Sequence, residues 1–266
     1  MSLPTTSPLS TPVVVAQTES GLDQELGRQL SRVPLWAMLW LLASVLAHYV
    51  WQWCWPEGLN AGPLLVVSFG MILAAIIDGW AFKVPNWLTL PLILSGWLAG
   101  LCHTLGWSLD AGTGGLGISL LATLLGFSLL LPMLILRGVG EGDVKMQMGF
   151  AAWMGAYFGT GDTTVAAGMD IRLHALGVVF WAFACGALFG GLFGLVMMLL
   201  RRRFRDNAQM FVAMTHDLLL LTRGQLHQAT VQAEQRRNRW VRLPYGIPLC
   251  VGFLFYLWLV LVALRG

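Results

Sequence analysis

Charge is what this sequence has least of. Only 11% of its 266 residues are Asp, Glu, Lys or Arg, against 57% hydrophobic residues and a mean hydropathy of +0.70. Water-soluble domains carry roughly 25% charged residues, so a water-soluble globule is excluded and the chain reads as a polytopic membrane protein. Cysteine is scarce too. Cys54, Cys102, Cys185 and Cys250 each lie in or beside an apolar run, and none stands in a C-x-x-C spacing. That removes the sequence case for a zinc knuckle or a redox pair and leaves them as small packing residues. His48, His103, His174, His216 and His227 show no ligand spacing either, so no metal and no cofactor is expected. A secretory signal is also missing, because the first 33 residues are polar and no small-residue cleavage site follows the first apolar run.

What is present is apolar sequence in membrane-length pieces. They fall at about 34–55, 61–78, 88–108, 115–136, 144–160, 174–200 and 246–264. The fifth is short and rich in Gly and Ala, which suits a tilted or re-entrant course. The expected fold is therefore all-α, a membrane helix bundle of about seven transmembrane helices. The tail MSLPTTSPLSTPVVVAQTESG is rich in Ser, Thr and Pro, and residues 1–33 are expected to be a disordered cytoplasmic tail. Within the long loop at 201–242, Phe211, Met214, Leu218 and Leu221 share one helical stripe between arginines. This predicts an amphipathic helix on the inner membrane surface.

The basic residues orient the bundle. With a cytoplasmic amino terminus, Arg28, Arg32, Lys83, Arg137, Lys145 and the nine arginines between 201 and 242 lie inside, which is 14 of the 16 Lys and Arg; Arg172 and Arg265 lie outside. These inner arginines flank membrane spans, so anionic lipid is their expected partner and nucleic acid is not.

Elimination then works on the 13 acidic residues. Glu19, Asp23 and Glu25 fall in the tail, Glu57, Asp110, Asp162 and Asp170 in outer connections, and Asp206, Asp217 and Glu234 in the long loop. Asp78, Glu141 and Asp143 remain, all at the cytoplasmic membrane surface. An ionisable residue there is costly and points to function. Two carboxylates a few ångströms apart cannot both ionise comfortably, so one holds a proton while the other polarises water. The same two acids could instead cap helices, or pair with Arg137 or Lys145, and position alone leaves both readings open. In GVGEGDVK, Gly138, Gly140 and Gly142 alternate before Asp143, which permits close backbone approach. A nucleotide-binding loop does not fit, because no Lys-Ser/Thr pair closes it. After Asp78 comes GWAFKVPN, a compact connection whose Pro85 suits the first turn of the next helix and whose Asn86 adds a polar group.

DGWAFKVPNWLT, then GEGDVK, then RLPYGIP before a last apolar run resemble the type IV prepilin peptidases, membrane aspartyl proteases of the GxGD class, over about residues 61–264. The resemblance implies that Asp78 and Asp143 are the catalytic pair, with Gly140, Gly142, Lys145, Pro85 and Asn86 in support. It implies a bacterial inner-membrane enzyme that removes the basic leader of a prepilin or pseudopilin on the cytoplasmic side. Pilus or secretion machinery would then be a further partner. The paired C-x-x-C motifs of the longer, methylating members are absent. The chain is thus more similar to the short, peptidase-only enzymes of tight-adherence (Flp-type) pilus systems. Glu141 occupies the variable position of G-x-G-D, which implies a structural or tuning role. The helix at 34–55 and the loop at 201–242 are additions that the resemblance does not explain. The competing expectation is a non-enzymatic scaffold of a pilus or secretion assembly that keeps the fold.

Overall fold

The computed structural model describes residues 12–161 apart from 58, 82, 108 and 137, then 164, 165, 171, 172, 174–200 and 245–265. The loop at 201–242, with its expected amphipathic helix, lies outside the described residues. Seven helices are described, α1 (Pro12–Cys54), α2 (Gly62–Ala81), α3 (Asn86–Thr104), α4 (Leu116–Ile135), α5 (Glu141–Phe158), α6 (Ala175–Leu200) and α7 (Gly246–Arg265). Each of the seven apolar segments of the sequence corresponds to one of them. A two-residue antiparallel pairing, β1 (Thr164–Val165) with β2 (Ile171–Arg172), interrupts the connection between α5 and α6.

Five of the described helices are long and apolar enough to cross a membrane: Leu30–Cys54 within α1, then α2, α3, α4 and Ala175–Val196 within α6; Gly246–Val262 of α7 is a shorter apolar helix. Their outward faces carry Leu39, Leu42, Phe69, Ile76, Leu121, Leu124 and Leu188, all exposed, as helices whose outer solvent is hydrocarbon require. The exposed indoles of Trp53, Trp80 and Trp107 stand at or near span ends, where interfacial aromatics collect.

One boundary differs from the sequence expectation. Helix α1 starts at Pro12 and runs for 43 residues with Pro34 inside it, so it takes in residues 12–33 that composition assigns to a disordered tail. The Ser, Thr and Pro lie mainly ahead of residue 13, whereas QTESGLDQELGRQL is rich in Gln, Glu and Leu, good helix formers. The fifth apolar segment, short and rich in Gly and Ala, forms the central helix α5, packed by α2, α3, α4, α6 and α7 and buried on nearly every side.

Small residues make that packing possible. A methyl group added at Gly96 would sit 2.8 Å from backbone of Ala152, and one at Gly155 would sit 2.5 Å from Ser119 Cα, so α3 and α4 meet α5 backbone to backbone, as close helix crossings in membranes do. Two side chains bond to backbone across these seams. Trp153 Nε1 donates to the Leu92 carbonyl at 3.0 Å, and Ser119 Oγ to the Ala152 carbonyl at 2.8 Å. On the other flank Phe150 stacks on Phe253 with ring centroids 4.4 Å apart, which fixes α7 against α5.

Candidate active site

The inward stripe of α2 is Leu64, Val67, Met71, Ala74, Ala75 and Asp78, all buried. This is the i, i+3, i+4, i+7 face of a helix, and its last member is an acid. Asp78 therefore points into the bundle because the apolar stripe before it does. Asp143 reaches the same end from α5, where it occupies the first turn. The two are 6% and 5% exposed, too deep to be ordinary surface charges.

The start of α7 holds them together. Gly246 N–H donates to Asp78 Oδ2 at 3.1 Å. A methyl group added at Gly246 would stand 2.8 Å from Asp78 Oδ2 and 3.2 Å from Asp143 Oδ1. One oxygen of each carboxylate thus lies within 3.2 Å of the same point beside the Gly246 Cα, so the two acids converge on that glycine. Asp143 Oδ2 accepts the Gly140 N–H at 3.1 Å. That is the return arm of a capping box, the only arm a glycine cap allows. Asp143 Oδ1 has no hydrogen-bond partner among the described residues.

The connection after Asp78 and the glycine string before Asp143 are docked on each other. A Cβ at Gly142 would come 2.9 Å from Val84 Cβ and 3.0 Å from Val84 N, so only glycine lets α5 begin this close to the hairpin. Gly140 has φ −79°, an ordinary value, and a Cβ there would meet only Asp143 Oδ2 at 3.4 Å. Its contribution is its N–H. Lys145 Nζ donates to Asn86 Oδ1 at 2.9 Å, tying α5 to the first residue of α3, and Pro85 is the N-cap of α3. Lys145 does not neutralise Asp143. Among the described residues neither site acid forms an ion pair; the one ion pair is His103–Asp110. Glu141 is exposed and takes no part in this cluster.

Asp143 precedes the apolar stretch of α5 and stands outside the membrane-spanning segments. Burial raises its pKa, the nearby Asp78 charge raises it further, and the Gly140 N–H opposes both, leaving it at about 7. Tyr245, just ahead of α7, has its phenol raised by burial and then by Asp143, and its ring packs beside Gly190 of α6. Such a pair, one carboxyl holding a proton beside another that accepts a backbone N–H, can deliver and remove protons on one water. The described residues include no group of three His, Cys, Asp or Glu that could hold a metal ion.

The profile of the type IV leader peptidase family matches residues 65–195, a stretch that contains both acids. The chain belongs to that family. This leader peptidase is accordingly a protease with several membrane-spanning helices. The match ends before α7, so Gly246 comes to the site from outside the matched stretch. No curated protein and no solved structure matches the chain.

In the sequence, RLPYGIP marks the entry of the last apolar run but not the contact of Gly246 with both acids. The signal it offers is a glycine between a turn and a helix. No motif in the sequence marks Gln147.

Proposed function

We propose that this leader peptidase is an aspartyl endopeptidase that cleaves the basic leader from type IV, Flp-like prepilins at the cytoplasmic face of the inner membrane, without methylating the product. The observation that carries this reading is the meeting of Asp78 and Asp143 at Gly246, two acids 65 positions apart in sequence brought to one small space. Asp143, raised to about 7 by burial and by its neighbour, is the proton holder. Asp78, which accepts the Gly246 N–H, is the base. Asp78 takes a proton from a water whose oxygen adds to the scissile carbonyl carbon, while Asp143 gives its proton to the carbonyl oxygen. On collapse the C–N bond breaks, the proton on Asp78 goes to the departing amine, and Asp143 recovers its own from the hydroxyl. The distribution of Lys and Arg supports the cytoplasmic face, and the lack of C-x-x-C pairs supports cleavage without methyl transfer.

Co-expression with a small pilin precursor whose basic leader ends in glycine tests this directly. Mass spectrometry should show loss of the leader and no added methyl group. An unshortened precursor beside stable, membrane-inserted enzyme would favour the scaffold instead.

A further inference from the structure

Gln147 sits on α5 four residues after Asp143 and is fully buried, 0% exposed. Neither its Oε1 nor its Nε2 has a hydrogen-bond partner among the described residues. Leaving a buried donor or acceptor unsatisfied is destabilising, and here both ends of one carboxamide are in that state. Ser95, Ser119 and Trp153, also buried in the seams of α5, are each hydrogen-bonded.

Its placement relates it to the acids. Residues i and i+4 of a helix leave from the same side, and helical side chains lean back toward the N-terminus. Gln147 therefore leans from one turn deeper toward the Asp143 end. Across from it α4 presents Gly126, where an added Cβ would meet Gln147 Cγ at 3.4 Å and Ala151 Cβ at 2.9 Å. Glycine there leaves the long side chain its room between α4 and α5.

A carboxamide has one acceptor and two donors side by side. An extended peptide residue turns its own N–H and C=O to the same side, as in the hydrogen-bonded pairs of an antiparallel sheet. The two patterns are complementary. Resting on the aspartyl endopeptidase reading above, we propose that Gln147 is a positioning residue that grips the backbone of one extended substrate residue next to the scissile bond. The grip works through main chain, so it is indifferent to substrate sequence and demands an unwound segment.

The test uses the full-length enzyme and a synthetic precursor peptide with a basic leader ending in glycine, followed by an apolar stretch. A companion set carries a single N-methyl group at each peptide nitrogen flanking, but not at, the cleaved bond. Gln147→Met keeps the length and removes the polar atoms. It should match or exceed the parent in thermal stability while kcat/KM falls about tenfold, mostly through KM. In the parent, one N-methyl position should cost about tenfold, and in Q147M the same position should cost less than about twofold. Each penalty is a ratio within one enzyme, so loss of folded protein cancels, and Gln147→Leu repeats the cycle if Q147M expresses poorly. Equal penalties in parent and variant at every position, or cleavage by Q147M at the parental rate, overturn the assignment. If the parent leaves the unmodified peptide uncut, the endopeptidase reading fails and Gln147 falls with it; if the parent cuts and the cycle shows no coupling, only Gln147 falls.

Discussion

The bundle buries a carboxylate cluster at each end, and the two are built on opposite principles. At the end formed by the α3–α4 connection, Asp110 meets His103 at 2.8 Å and also accepts the Gly112 N–H at 2.7 Å. The second imidazole nitrogen of His103 meets the Gly114 carbonyl at 3.0 Å. Burial would raise the Asp110 pKa, but the His103 hydrogen bond and charge together with the Gly112 N–H outweigh it and hold the carboxyl below the ordinary range. At the other end Asp143 faces a second acid, keeps one oxygen unpartnered among the described residues, and is held at about 7. A paired and saturated acid stabilises a fold. Two like acids with spare hydrogen-bonding capacity are the arrangement proton chemistry uses. Burial alone does not separate the two sites; the partner does.

The sharpest break of this contrast is removal of either site acid. Asp78→Asn and Asp143→Asn should each lower leader cleavage by about 10³-fold or more while the protein stays folded in the membrane, because each loses one proton-transfer role. Normal processing by either variant, read by precursor mass, would end the two-acid mechanism. Next comes the glycine between them. Gly246→Ala puts a methyl 2.8 Å from Asp78 Oδ2 and should cost about 10²-fold in kcat, the size of effect a misplacement of about 1 Å produces. At the opposite end, Asp110→Asn should lower stability by about 3 kcal/mol, since it strands a buried partner, yet leave cleavage per folded molecule unchanged. Thermal unfolding in detergent and active-site titration separate the two.

Stability against pH should carry opposite signs at the two ends. Asp143 has a folded pKa above its unfolded one, so its contribution declines as pH rises from the ordinary carboxylate range through about 7. Asp143→Asn should flatten that decline and be more stable than the parent at pH 8. Asp110 has a depressed folded pKa, so its contribution is present above the ordinary range and is lost as pH falls through the lower folded value. The smallest effect belongs to Glu141→Gln, expected to change cleavage by less than about twofold because an exposed side chain away from the pair has little to lose. A large loss there would bring Glu141 into the site.

Much of this was legible before any coordinates. Seven apolar runs gave seven helices, because a membrane makes length and hydropathy nearly sufficient for a helix. Alternation of the runs, with arginine counting, placed Asp78 and Asp143 at the same end. What escaped were facts that depend on rotation of one helix against another. Asp110 reads in the sequence as an outer-loop acid, since nothing in one chain's pattern reveals that His103, seven positions earlier, turns to meet it. Gln147 hid inside an otherwise small and apolar helix, and Gly246 lies 168 positions from the Asp78 it contacts. The helical start of α1 was obscured by the Ser, Thr and Pro at the extreme amino terminus.

The Gly246 hydrogen bond also sets an order of events in synthesis. Asp78 and Asp143 belong to helices made early, but the N–H that Asp78 accepts comes from the first residue of the last helix. A nascent chain that has inserted α1 to α6 holds both acids and lacks the element that brings them to a common point. On the proposed two-acid mechanism, proteolytic competence therefore waits for α7 to dock.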